Sequence, residues 1–211
     1  MPASREKACA GLLCTYIVHD VTDLIHLDAE ALRVLAHPLR SRLLTQLRLH
    51  GSATATELAA ALVTNSGATS YHLRKLESVG LVADTGGGVG KRRVWQAATR
   101  GHEWTPSDFA GDEDAEASLG WLQRHYQDYL GGRVAHWVET ERAWPSHWRD
   151  TLGSGDDGVT VTAEQARAMW DEIQAVTHRY RAAGVGEPDA IRVQVWTHLL
   201  PIDDEIPQEH P

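Results

Sequence analysis

Apolar residues between positions 28 and 80 recur every three to four residues, which is the spacing of helices with one buried face. These series predict four helices, over residues 28–35, 38–50, 54–62 and 67–79, with Asp28 as the N-cap of the first and a capping box of Thr54 and Glu57 at the start of the third. In the fourth helix the inward stripe is Thr69, Leu73 and Leu76, with His72 beside it. The opposite face is therefore predicted to be exposed, and it consists of Gly67, Ala68, Ser70, Tyr71, Arg74, Lys75 and Ser78.

Two short extended segments follow the fourth helix. Leu81–Asp84 and Arg92–Gln96 are predicted strands, and a glycine-rich loop at residues 85–90 joins them. A pair of short helices followed by such a hairpin is typical of a winged helix-turn-helix domain. In that domain the second helix of the pair fits the major groove of DNA.

The remainder of the chain predicts a mostly α fold with a small amount of β. A long helix is expected over residues 116–143, with a kink or break at Gly131 and Gly132. A small α/β module follows, with strands at residues 159–161 and 191–195 around a helix that starts at the capping residue Thr162. The predicted organisation is an N-terminal extension (1–27), a winged helix-turn-helix domain (28–98), a linker (99–115), a dimerisation and possible effector domain (116–201) and a loose tail (202–211). Within the extension, Leu12–Val18 fits a strand or a helix.

Charge is distributed unevenly along the chain. The net charge is −9, yet residues 31–100 carry ten basic and three acidic side chains. Residues 101–211 carry eight basic and 21 acidic side chains. Because exposed charges act over roughly 8 Å at physiological salt, a local positive block can bind phosphates within an acidic protein. The acidic remainder would orient the protein on double-stranded DNA.

Several other classes of protein are disfavoured by the sequence. No apolar run approaches the length of a membrane span, and the N-terminus makes a poor secretory signal, so a cytoplasmic location is expected. Cys9 and Cys14 provide no disulfide framework and are interpreted as small apolar residues, with a redox pair as the alternative. No cofactor motif is present and no base is placed beside a nucleophile, so an enzyme is not expected.

Residues 31–98 closely resemble the ArsR-type winged-helix transcriptional regulators of bacteria. The resemblance rests on ALRVLAHPLRSRLL, TATELAAAL, SGATSYHLRKLESVGLV and the hairpin end KRRVWQAA. The C-terminal part, with WPSHWRD at residues 144–150, VTAEQARAMWDEIQAVTHRYR and then a VQV strand, is similar to the extended tail of one ArsR-like subgroup. The resemblance implies a homodimer that binds an inverted-repeat operator and usually represses transcription.

The resemblance and the exposed faces together predict the DNA-binding residues. Arg74 is the candidate to contact guanine, because its guanidinium matches two acceptors on that base. The other candidates on the fourth helix are Gly67, Ala68, Ser70, Tyr71 and Lys75. On the predicted wing, residues 84–93, Lys91, Arg92 and Arg93 would contact phosphates or the minor groove. Thr56 and Arg42 are predicted to contact the DNA backbone. The alternative for each charged residue is an ordinary solvated side chain.

The long helix offers a candidate dimer interface, with packing inside one subunit as the alternative. Its apolar members are Trp121, Leu122, Tyr126, Tyr129, Leu130, Val134 and Trp137. Some ArsR-type regulators sense metals on the helix after the wing, and this resemblance gives an alternative zinc-type site at His125, His136 and Glu139. The two histidines would lie about 16 Å apart along one helix, so one subunit could not close the site. Six of the eight tryptophans follow residue 120 and suggest a small-molecule effector pocket. A winged-helix protein-interaction module is the remaining alternative.

Overall fold

The computed structural model describes residues 22–88, 90 and 92–206 and contains two compact units, Met1–Glu141 and Arg142–Pro211. In the first unit the elements are β1 Thr22–His26, α1 Ala29–Leu35, α2 Pro38–His50, β2 Ala53–Thr54, α3 Ala55–Ala61, α4 Ser66–Glu77, β3 Val82–Asp84, β4 Val94–Ala97, β5 Thr99–Glu103, a 3₁₀ turn Pro106–Phe109 and α5 Glu113–Thr140. The second unit contains α6 Ser146–Arg149 and α7 Ala163–Tyr180. The predicted mostly α fold, with paired helices followed by a long helix, is confirmed.

The helices begin where the sequence supplies an acceptor for otherwise unpaired backbone amides. The side chain of Asp28 accepts from the amide of Ala31 at 2.8 Å and starts α1. Thr54 and Glu57 form the predicted capping box at the start of α3. Thr162 and Gln165 form a second capping box at the start of α7. These three predicted starts are confirmed.

Leucines of the first four helices form the core of the first unit. The inward residues predicted for α4 are buried. So are Leu32 and Leu35 of α1, Leu58 and Ala59 of α3, Leu62 at its end, Trp95 of β4 and Phe109. Ala115, Leu119 and Leu122 of α5 join the same cluster. The first part of α5 is therefore integral to the helix-turn-helix unit.

The strands form two small sheets. Strand β4 pairs antiparallel with β2 on one side and with β3 on the other, and the β3–β4 hairpin brings Asp84 opposite Trp95. Strand β1 pairs in parallel with β5, with Leu24 opposite Gly101. A Cβ atom on residue 101 would lie 2.6 Å from Cδ2 of Leu24, so glycine permits this close approach.

Two predictions for the middle of the chain are wrong, and so is the break that was one alternative for the long helix. The proposed linker 99–115 contains β5, the 3₁₀ turn and the start of α5, because β1 supplies a partner for a segment that has little strand character alone. Helix α5 runs without a break through Gly131 and Gly132. The boundary between compact units falls after Glu141, rather than at the predicted start of a domain at residue 116.

The two strands predicted in the second unit are not formed. Residues 159–161 and 191–195 have no strand pairing within the described residues, and Val159, Val193 and Val195 are exposed. An alternating pattern makes a strand only when a neighbour accepts its backbone hydrogen bonds. The predictions for Cys9, Cys14 and Leu12–Val18 concern residues outside those that the structure describes.

Val63 occupies a strained position in the turn between α3 and α4. Its φ is +52°, a left-handed conformation that is unfavourable for a β-branched residue, and its side chain is 93% exposed. We expect Val63→Asn to raise the free energy of unfolding by about 1 kcal/mol, because asparagine tolerates this conformation. Urea denaturation at an unchanged m-value measures the effect. Val185→Asn, at an exposed residue without positive φ, is the control, and an equal or lower stability for Val63→Asn would contradict the prediction.

Candidate nucleic-acid interface

Helix α4 exposes one polar face because its other face is held in the core. The side chain of Asn65 accepts from the amide of Ala68 at 2.7 Å and starts the helix. Thr69, Leu73 and Leu76 are buried. The opposite face is open to solvent, and on it Tyr71 is 55% exposed, so this tyrosine is not a core residue.

A cleft lies between the start of α3, the exposed face of α4 and the β3–β4 hairpin. Its volume is about 220 Å³. It is lined by Thr54, Ala55, Thr56, Ser66, Ser70, Arg74, Arg92, Arg93 and Trp95. Three guanidinium groups and four hydroxyls thus converge on one concave surface, and both kinds of group bind phosphate oxygens in protein–DNA complexes.

The three arginines of the cleft differ in their partners. Nη1 of Arg93 lies 3.5 Å from Oε2 of Glu77, and Nε lies 3.4 Å from Oδ2 of Asp84. The same guanidinium lies 5.6 Å from the ring centroid of Trp95. Arg74 and Arg92 are exposed and have no ion-pair partner within 4 Å in the described part of the chain.

Glu57 adds a carboxylate near the hairpin. It accepts hydrogen bonds from the hydroxyl and the amide of Thr54, each at 2.7 Å. These hydrogen bonds, with the positive charge of Arg92, hold the pKa of Glu57 below its usual value. The carboxylate is therefore ionised beside the cleft at neutral pH.

The structure gathers five of the predicted DNA-binding residues in the cleft, namely Thr56, Ser70, Arg74, Arg92 and Arg93. Four others lie on the outer side of α4 without lining it, namely Gly67, Ala68, Tyr71 and Lys75. Lys91 lies outside the described residues. Arg42 is elsewhere: its guanidinium is 3.4 Å from the carbonyl oxygen of Leu62, at the opposite end of α3 from the cleft. Arg42 therefore lies apart from the cleft, because α2 presents its side chain to the end of α3, and its contact with the DNA backbone stays a prediction.

Several cleft residues were not predicted as site residues. Thr54 had been identified only as a capping residue, and Ala55, Ser66 and Trp95 had not been assigned a role. The sequence signal that could have identified Ser66 as a site residue was its position next to Asn65, which caps α4. For Trp95 it was strand alternation, which puts residues 93 and 95 on one face.

A pair of histidines lies where α4 meets the start of α2. The ring centroids of His37 and His72 are 4.5 Å apart, and Nδ1 of His37 accepts from the amide of Leu39 at 3.1 Å. Nδ1 of His72 is buried and has no hydrogen-bond partner among the described residues. Burial and the charge of Arg40 lower the pKa of His37, and burial and the neighbouring His37 and Arg40 lower that of His72. Both rings are therefore neutral where α2 supports α4.

A buried polar relay connects α2, β5 and α5. The guanidinium of Arg48 donates to the carbonyl and hydroxyl oxygens of Thr99 at 3.0 and 3.1 Å. It also donates to Nδ1 of His102 at 2.7 Å, so the proton of that ring is on Nε2, which donates to the hydroxyl of Tyr126 at 2.8 Å. Burial and the adjacent Arg48 lower the pKa of His102 to about 3, and burial lowers that of Arg48 to about 10.

The predicted interface on α5 is divided between two environments. Leu122 is fully buried in its own subunit, and Trp121 and Tyr126 pack against the same core. Leu122 is therefore not available as a dimer contact, and the partly buried Trp121 and Tyr126 support the alternative of packing inside one subunit. Further along α5, Val134 and Val138 are 41% and 63% exposed.

The alternative metal residues are not brought together within the chain. The ring of His125 stacks on Trp121 with a centroid distance of 4.9 Å, whereas His136 and Glu139 are exposed about three and four turns further along α5. In the described residues no three His, Cys, Asp or Glu side chains form a group that could hold a metal ion.

Comparison with known families assigns the central part of the first unit. Residues 35–85 match a family described as a helix-turn-helix domain. The match covers α2, α3, α4 and β3, the elements that carry most of the cleft. The chain therefore contains a helix-turn-helix domain, which supports a DNA-binding regulator in general. No curated protein matches the chain. None of the described helices has the length and apolarity to cross a membrane.

Proposed function

We propose that the protein is a sequence-specific, ArsR-like transcriptional regulator that binds double-stranded DNA through α4 and the β3–β4 hairpin. The observation that carries this proposal is the cleft in which Arg74, Arg92 and Arg93 converge beside the exposed face of α4. Helix α4 enters the major groove, where Arg74 donates to the acceptors of a guanine. The hairpin acts as the wing, and with Thr56 and Ser70 it contacts the DNA backbone.

The proposed active species is a homodimeric repressor on an inverted-repeat operator. One copy presents one α4 and few base contacts, so a second α4 about 34 Å away increases both affinity and specificity. The exposed second half of α5, including Val134 and Val138, is the proposed contact between copies. A protein-interaction module would not require three arginines in one cleft, so the cleft favours DNA over that alternative.

We expect Arg74→Ala to weaken operator binding by about 1–3 kcal/mol and to reduce sequence preference, because a bidentate contact to guanine is lost. Sequencing of DNA fragments that co-purify with the protein identifies the operator. Fluorescence anisotropy then compares both proteins on operator and scrambled duplexes. Arg167→Ala, the same change at an exposed residue of α7 in the second unit, is the matched control.

Two results would contradict the proposed function. The first is an Arg74→Ala variant that binds operator as tightly and as selectively as the unaltered protein. The second is an affinity for DNA that does not change between low and high salt, because phosphate contacts release counterions and make binding steeply salt-dependent.

A further inference from the structure

All three carboxylates of the basic segment 31–100 are placed beside an arginine of the hairpin. Glu77 and Asp84 pair with Arg93, and Glu57 interacts electrostatically with Arg92. Acidic side chains are absent from the rest of this segment, although it contains many exposed positions. The acidic groups are therefore concentrated at the proposed interface, where they oppose the attraction of phosphate.

Arg93 is the most restrained of the three cleft arginines. Glu77 reaches it from the end of α4 and Asp84 from the end of β3, at 3.5 and 3.4 Å. Trp95, which is 2% exposed, lies beneath the guanidinium. The half-exposed side chain thus has neighbours on three sides, and two negative charges flank its single positive charge. Arg92, the adjacent residue, has no such ion pairs among the described residues.

On the basis of the proposed function, we propose that Glu77 and Asp84 neutralise Arg93 and thereby limit binding to DNA of arbitrary sequence. Non-specific binding depends on cations that exchange counterions for phosphates. Arg93 can join that exchange only by giving up its carboxylates, whereas Arg92 can join it directly. Sequence-specific contacts from α4 then account for a larger share of the affinity for the operator.

The test measures the dependence of affinity on salt for a random-sequence duplex. One further phosphate contact changes the slope of log K against log salt by about 0.9 and raises affinity about fivefold near 0.15 M salt. We expect Glu77→Gln, Asp84→Asn and the double variant to move toward this steeper slope. The ratio of operator to random-sequence affinity should decrease in the same order.

Three further variants assign the effect to the arginines. Arg92→Ala should reduce the slope of the unaltered protein by about 0.9 for each bound copy, because it removes one phosphate contact from each copy. In the Glu77→Gln, Asp84→Asn background, Arg93→Ala should return the slope to that of the unaltered protein. Glu113→Gln, an exposed carboxylate in the first turn of α5, has the same change in net charge and should leave the slope unchanged.

The outcomes separate this inference from the proposed function. If Arg92→Ala reduces the slope while Glu77→Gln and Asp84→Asn match Glu113→Gln, the restraint on Arg93 is refuted and DNA binding stands. If the unaltered protein shows no salt-dependent binding, the proposed function fails and this inference fails with it. Circular dichroism melting of each variant verifies folding, and the two single carboxylate variants provide independent tests.

Discussion

Replacing Trp95 with alanine is expected to lower the free energy of unfolding by about 3–5 kcal/mol. The indole is 2% exposed in the middle strand of the three-stranded sheet, where it packs on the helical core and supports the guanidinium of Arg93. Its removal leaves a cavity between the hairpin and the helices. A loss of this size is a large fraction of the stability of a typical domain, about 5–15 kcal/mol.

Urea denaturation followed by far-ultraviolet circular dichroism measures this loss without relying on tryptophan fluorescence. Trp95→Phe retains most of the packing and should cost less than the alanine variant. Trp144→Ala, in the second unit at a residue that is 36% exposed, provides the same chemical change outside the buried core. Equal losses for Trp95→Ala and Trp144→Ala would show that Trp95 does not organise the core.

The second large effect is a decrease in stability in mild acid that depends on His102. The pKa of this ring falls from 6.5 to about 3 in the folded protein, because it is buried beside Arg48. Between these two values the unfolded chain binds a proton that the folded protein does not bind. The contribution of His102 to the free energy of unfolding is therefore fully present above pH 6.5, and it is lost as the pH falls, by about 1.4 kcal/mol per pH unit.

From pH 6.5 to pH 5 the expected contribution of His102 is a loss of about 2 kcal/mol. Urea titrations at a series of pH values measure it. His37 and His72 also have lowered pKa values and therefore also reduce stability as the pH falls. His102→Asn should thus reduce the slope of the free energy of unfolding against pH by about 1.4 kcal/mol per pH unit, which corresponds to one proton, without abolishing it. His50→Asn, at an exposed residue of α2, is the control, and parallel slopes for His102→Asn and the unaltered protein would refute the assignment.

Local signals in the sequence were sufficient for the helix-turn-helix unit. Asp28, Thr54 and Thr162 were predicted to cap helices, and their side chains accept from backbone amides as expected. The inward stripe of α4 follows from helical periodicity, so its exposed face follows as well. Each of these features depends on residues within one or two turns of each other.

Features that depend on distant partners were not predictable from the sequence. Strand β5 forms because β1, more than 70 residues earlier, pairs with it, and TRGHE itself has no alternation of apolar residues. Conversely, the alternating residues 191–195 lack such a partner and form no strand. The division of α5 between its own core and solvent likewise depends on where α1 packs. For the cleft, the sequence identified the arginines but not the carboxylates that restrain them.

The relay through Arg48, His102 and Tyr126 has a mechanical consequence for the regulator. Both nitrogens of the central imidazole are engaged, one by a side chain of α2 and the other by a side chain of α5. Sliding α5 along its axis by even one residue, about 1.5 Å, would break the second bond and leave a buried donor unpaired. Small displacements of α5 along its axis are therefore resisted, because each would cost a buried hydrogen bond.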